Sequence, residues 1–167
     1  EEALDSYDKV LEQQPDSVMA WLNKGNTYLE LGLLEESVHC SKKSISLDSG
    51  YYKPYNNIGY ALQRTGNQSE SLPYLKKAHE LNPGSSPVLL NIGNAYKDMG
   101  KFDQAIKYYR QALSIDPHYP VPHSNILFAM NYGEDYDPAT IYEEARRWWR
   151  QQAAHLPRPD RYPNEPD

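Results

Sequence analysis

Asparagine recurs at a fixed interval: Asn23, Asn57, Asn91 and Asn125 stand 34 residues apart. A side-chain amide carries one acceptor and two donors, so it can pair with both the N–H and the C=O of an extended backbone. A row of them would hold an unstructured segment with little dependence on its sequence. The same residues would serve equally to cap or bridge neighbouring helices, and both roles stay open. Asn26 and Asn94 add amides one turn along. Other chemistry is sparse. The single cysteine, Cys40, has no partner for an internal disulfide, and no Cys/His grouping has zinc spacing, so no metal site is expected. No glycine-rich phosphate loop or nucleophile elbow is present, so neither a catalytic residue nor a cofactor is expected in this chain.

Composition narrows the partners. The chain has 167 residues and a net charge of −6 from 17 basic and 23 acidic side chains. Nucleic-acid binding needs a basic excess or stripe, so it is not expected. The densest basic stretch, Arg146, Arg147, Arg150, Arg158 and Arg161, lies among acids and prolines and reads as solvated surface. No apolar run approaches the roughly 20 residues that span a bilayer, and residues 1–6 are no signal peptide. No membrane partner and a reducing, cytoplasmic compartment are expected.

The elements that position the asparagines follow from the same 34-residue period. Gly25, Gly59 and Gly93 obey it, with Leu127 in the next register. So do Gly32, Gly66 and Gly100; Tyr28, Leu62, Tyr96 and Met130; and Trp21, Tyr55, Leu89 and His123. A bulky residue and a glycine four positions on share one helix face; the missing side chain lets a neighbouring backbone approach. Gly32, Gly66 and Gly100 fall where a helix ends in a left-handed residue. A second helix follows, with Ala105, Tyr109 and Ala112 at its 3–4 spacing, and Asn82-Pro83 and Asp116-Pro117 stop it.

Trp21-x-x-x-Gly25-x-x-Tyr28, Ala105-x-x-x-Tyr109-x-x-Ala112 and Pro117 together resemble the tetratricopeptide repeat consensus over about four-fifths of the chain. The resemblance implies an all-α, right-handed superhelix of helical hairpins, with first helices lining an inner groove that takes protein or peptide segments. Repeats are expected at 18–51, 52–85 and 86–119. Residues 1–17 would be the second helix of a truncated repeat, 120–156 a terminal partial repeat and long helix, and 157–167 a proline-rich linker. Starting mid-repeat, the chain reads as a piece of something longer. Ser37, Ser41, Ser44 and Ser49 replace Ala, Tyr, Ala and Pro of the third repeat, which either loosens the packing or fits a tight crossing. Pro73 near the start of a second helix predicts a local irregularity. Register places Leu22, Asn56, Tyr60, Gln63, Arg64, Leu90 and Lys97 at the groove, too few cations for a carboxylate clamp.

Beyond Pro120 the pattern changes. His123-Ser124-Asn125-Ile126-Leu127, an Asp137-Pro138 helix start, Glu143-Glu144-x-Arg146-x-Trp148 and a Pro163-Asn164 exit resemble the junction between repeats and catalytic region in the O-linked N-acetylglucosamine transferase family. The same residues admit a SPINDLY-like fucosyltransferase. The resemblance implies that the chain is the substrate-recruiting arm of a protein O-glycosyltransferase, with the chemistry outside it; a free-standing adaptor or self-assembling scaffold is the alternative. The family's functional histidine has one match in His-Ser context, His123, which would otherwise simply fill the column of Trp21 and Tyr55. Uncovered Trp148 and Trp149 would favour self-association.

Overall fold

The computed structural model describes residues 2–133 and 135–153. They form helices and no strand: α1 (Glu2–Gln13), α2 (Val18–Glu30), α3 (Leu34–Leu47), α4 (Tyr52–Arg64), α5 (Gln68–Leu81), α6 (Ser86–Asp98), α7 (Phe102–Ile115), α8 (Pro120–Tyr132) and α9 (Pro138–Ala153). Each helix packs on its successor, and α2 touches α4 as α4 touches α6. The first helices therefore form a continuous row of their own. The linker expected over 157–167 lies outside the described residues.

Glycine ends three of the first helices. Gly32, Gly66 and Gly100 have φ of 75°, 82° and 71°, a conformation that glycine adopts without Cβ strain. After α2, Gly32 N–H donates to the Leu29 carbonyl and Leu33 N–H to that of Tyr28, at 3.1 and 2.9 Å. The same two bonds recur after α4 and α6. They satisfy the carbonyls that a helix end leaves unpaired and fix the turn into the next helix.

Inside the pairs, the columns of the second helices are wholly buried: Ser37, Ser41 and Ser44 in α3, Ser71, Leu75 and Ala78 in α5, Ala105, Tyr109 and Ala112 in α7. The first-helix glycines admit the expected backbone approach, since a Cβ at Gly25 or Gly59 would lie 3.4 Å from the Ser37 or Ser71 carbonyl oxygen, but at Gly59 and Gly93 a side chain comes nearer still. A Cβ at Gly93 would lie 2.4 Å from Tyr109 Cε1, and one at Gly59 would lie 2.5 Å from Leu75 Cδ2. The space is taken by a side chain of the partner helix. Only at Gly25, where Ser41 replaces those large residues, do the neighbours stand back, with Cys40 Cβ at 3.3 Å. The serines thus fit a tight crossing: Ser44 Oγ donates to the Val18 carbonyl at 3.3 Å. The Ser37 and Ser41 hydroxyls are buried without a partner among the described residues.

The large apolar core runs from α5 to α8, through Leu75, Val88, Ile92, Ile106, Tyr109, Ile126 and Met130. Pro73 does not break α5, which stays one helix around it; the proline is exposed, so the carbonyl it strips of a donor faces the wet side. At α8 the repeat changes because Leu127 occupies the glycine register. With Tyr142, Ala145, Arg146, Trp148 and Trp149 of α9 it lines an open apolar cavity of about 460 Å³. α9 begins as expected, with Asp137 Oδ1 accepting from Thr140 N–H at 2.7 Å; that bond holds the Asp137 carboxyl below its usual pKa.

Gly93→Ala and Gly59→Ala should each destabilise the stack by about 1–3 kcal/mol through overpacking. Gly25→Ala should be nearly neutral, because better helix propensity of about 1 kcal/mol offsets a mild contact. Urea unfolding of the three variants checks the order, and equal losses would contradict it.

Candidate functional site: a row of paired amides

Three of the four periodic asparagines, Asn57, Asn91 and Asn125, reach across to an asparagine of the preceding first helix; among the described residues no side-chain hydrogen bond joins Asn23 to the row. Asn57 Nδ2 donates to Asn26 Oδ1 (2.5 Å), Asn91 Nδ2 to Asn56 Oδ1 (2.9 Å) and Asn125 Nδ2 to Asn94 Oδ1 (2.9 Å). The middle pair departs from the register. Tyr60 stands where Asn26 and Asn94 stand in their helices, so Asn91 turns to Asn56 instead. Two more bonds stiffen the row: Gln63 Nε2 donates to the Asn91 carbonyl at 2.6 Å, and Tyr109 Oη donates to Asn94 Oδ1 at 2.9 Å.

Burial divides the amides. Asn57 and Asn91 are only 5% and 9% exposed, whereas Asn23, Asn26, Asn56, Asn94 and Asn125 are half-buried. A buried amide left unpaired costs about 1–3 kcal/mol, so the cross-helix bonds have a bridging role. They spend only part of each amide. Asn26, Asn56 and Asn94 give their oxygens to the pairs, and their N–H groups have no partner among the described residues. Leu22 and Leu90, assigned to the groove by register, are buried in the packing instead.

Around the row lie Tyr60 with Arg64, and Lys97 with Phe128. Arg64 Nη1 donates to Tyr60 Oη at 3.1 Å and its guanidinium sits 5.9 Å from the ring centre. Lys97 Nζ sits 5.4 Å from the Phe128 ring centre. The Tyr109 role was not legible as anything but packing; its phenol is also the clasp on Asn94. Burial pushes that phenol well above the usual tyrosine pKa. Elsewhere, Lys24 pairs with Asp8 and lies against Trp21 and Tyr28. Burial lowers its pKa, but the bond to Asp8 and the nearby charges outweigh that and leave it raised. Burial raises the Cys40 thiol.

His123 does what Trp21 does. Its Nε2 lies 3.3 Å from the Pro117 carbonyl, six residues back, as Trp21 Nε1 donates to the Pro15 carbonyl at 2.8 Å. It is buried, with the Trp148 ring 6.1 Å away. Trp148 is half-buried and Trp149 exposed. Arg146 and Arg147 are exposed and paired with Glu143 and Glu144; Arg158 and Arg161 lie outside the described residues. Among the described residues no group of three His, Cys, Asp or Glu is placed to hold a metal, and no helix is long and apolar enough to cross a membrane.

Models of the tetratricopeptide repeat family match residues 6–39, 52–85 and 86–119, more than half of the chain. The chain belongs to this family. It is accordingly a protein–protein interaction scaffold, and its all-α stack is a right-handed superhelix of helical hairpins. Among solved structures, the tetratricopeptide chain is similar to MamA (25% identity, TM-score 0.79, 91% of this chain and 84% of that one). It is similar to YrrB, described as a tetratricopeptide protein with an unusual peptide-binding site (22%, 0.72, 91% and 77%). A third likeness is to the O-GlcNAc transferase of Thermobaculum terrenum (23%, 0.75, 80% and 26%). The tetratricopeptide chain thus spans about a quarter of that enzyme. A comparison with curated proteins finds no match.

Tyr109→Phe should cost about 1 kcal/mol at neutral pH by removing the bond to Asn94. The wild-type phenol keeps its proton in the fold while the unfolded one loses it near pH 10, so its contribution fades as pH rises above that point. The gap between wild type and variant should therefore shrink in alkaline urea titrations; a constant gap would contradict the clasp.

Proposed function

We propose that the tetratricopeptide chain holds an extended peptide along its row of first helices, with Asn23, Asn57, Asn91 and Asn125, and Asn26 and Asn94 beside them, as the recognising amides. The observation that carries this is the unspent hydrogen-bonding capacity of the paired amides, repeated from α2 to α8. Such a row reads backbone and tolerates varied side chains. The peptide-binding site described for YrrB, on the same fold, supports the reading. Exposed Trp149, with half-buried Trp148 beside it, offers a second, self-associating contact.

We infer further that the scaffold recruits substrate for a protein O-glycosyltransferase of the cytoplasm. The change of repeat at Leu127 and the likeness to the O-GlcNAc transferase support this. His123 would reach donor chemistry only by leaving its packed position beside Pro117. An α/β catalytic region encoded directly after Asp167 would bear the reading out, and a stop codon there would sink it.

The double variant Asn57→Ala/Asn91→Ala should weaken binding of fluorescent unstructured peptides by roughly tenfold, a loss of about 1.4 kcal/mol. Helicity below the melting transition should be retained. Unchanged affinity would leave these amides with the bridging role alone.

A further inference from the structure

The groove registers carry more than amides. The position held by Asn26 and Asn94 is held by Tyr60 and Phe128 in the alternate helices. One turn on, the row reads Glu30, Arg64, Asp98 and Tyr132. Amide and aromatic therefore alternate from helix to helix, and each aromatic has its own cation, Arg64 over Tyr60 and Lys97 over Phe128. The second of these stations is open: Phe128 is 46% and Tyr132 62% exposed, with ring centres 4.6 Å apart. Large aromatics left in contact with water on a ligand-facing surface have apolar area still to bury.

Charge points to the occupant. The chain is acidic as a whole, at −6, yet both aromatic stations are topped by cations. Arg64 is exposed and has no carboxylate within ion-pair reach among the described residues. Lys97 shares its charge with Asp98 at 3.2 Å. A side chain that stacks on the ring beside a carboxylate that meets the cation would satisfy both halves of each station.

Spacing follows from the stack. The amide pair between Asn125 and Asn94 joins α8 to α6, and α6 touches α4. Packed helices lie about 8–10 Å apart, so Tyr60 and Phe128 are separated by roughly 16–20 Å. An extended chain covers about 3.3–3.6 Å per residue, which makes that about five or six residues. Given the groove-binding reading above, we propose that the bound segment is an acidic peptide with two aromatic anchors about five or six residues apart, each beside a carboxylate, seated at Tyr60–Arg64 and at Phe128–Lys97.

The test uses the whole chain and synthetic fluorescent peptides carrying two Phe-Glu units on a Ser/Asn frame, with spacings from about two to about ten residues. Anisotropy titrations should give the tightest binding near five or six. Arg64→Gln, an exposed change that spares the fold, should weaken it about fivefold and flatten its salt dependence. Phe128→Ala, with helicity checked by circular dichroism, should weaken it roughly tenfold. Exchanging Glu for Lys in the peptide should abolish the preference. Affinity that ignores spacing and both substitutions, while the Asn57→Ala/Asn91→Ala variant still lowers it, would overturn the two-anchor proposal and leave the groove reading standing. Absence of binding by every peptide would overturn both.

Discussion

The contact between a glycine-bearing first helix and one large side chain of its partner sets the geometry of this stack. Tyr109 fills the space that a Cβ at Gly93 would need, and Leu75 does the same at Gly59. Because that contact fixes how closely the two helices of a pair approach, it also fixes where the next first helix must lie. Where the constraint is relaxed, the stack changes with it. At Gly25 the partner is a serine column and the helices cross on small residues. At Leu127 the glycine is gone, and α9 leaves the pattern to border an open apolar cavity rather than close a pair.

Positioning the first helices is what allows the amides to meet. Three hydrogen bonds link four successive first helices, each between side chains from different helices. Bridging and binding are then not alternatives for one group. A primary amide has more donors and acceptors than one bridge consumes, so the bonds that hold Asn26, Asn56 and Asn94 in place also orient what remains. Ordering these side chains in advance lowers the entropy that a ligand must overcome on binding. Tyr109 joins the two levels, since the ring that excludes a Cβ at Gly93 also carries the hydroxyl that holds Asn94.

Much of this was legible in the residues, for identifiable reasons. Gly32, Gly66 and Gly100 announce their turns because few other residues accept a positive φ. The column at Ala105, Tyr109 and Ala112 reads as core because helical spacing puts it on one face. Partners across helices were less visible. That Asn91 would choose Asn56 depends on Tyr60 occupying the alternative place, a fact of three dimensions that spacing within one helix does not express. The burial of Leu22 and Leu90 was missed because a register defines a direction and not how deeply neighbours overlap it. The backbone approach that the glycines imply is there at Gly25 and Gly59, while the nearer side chains of Leu75 and Tyr109 belong to the partner helix and are not expressed by spacing within one helix.

The central claim is that the amide row of the first helices is the ligand-bearing face. Side-chain amide resonances of asparagine, followed by nuclear magnetic resonance during titration with an unstructured peptide, test it most directly. The account predicts shifts at Asn26, Asn57, Asn91, Asn94 and Asn125 and at the bridging Asn56, with the outer faces of α3, α5 and α7 unmoved. Shifts confined to those second helices, with the asparagine amides unchanged, would contradict it.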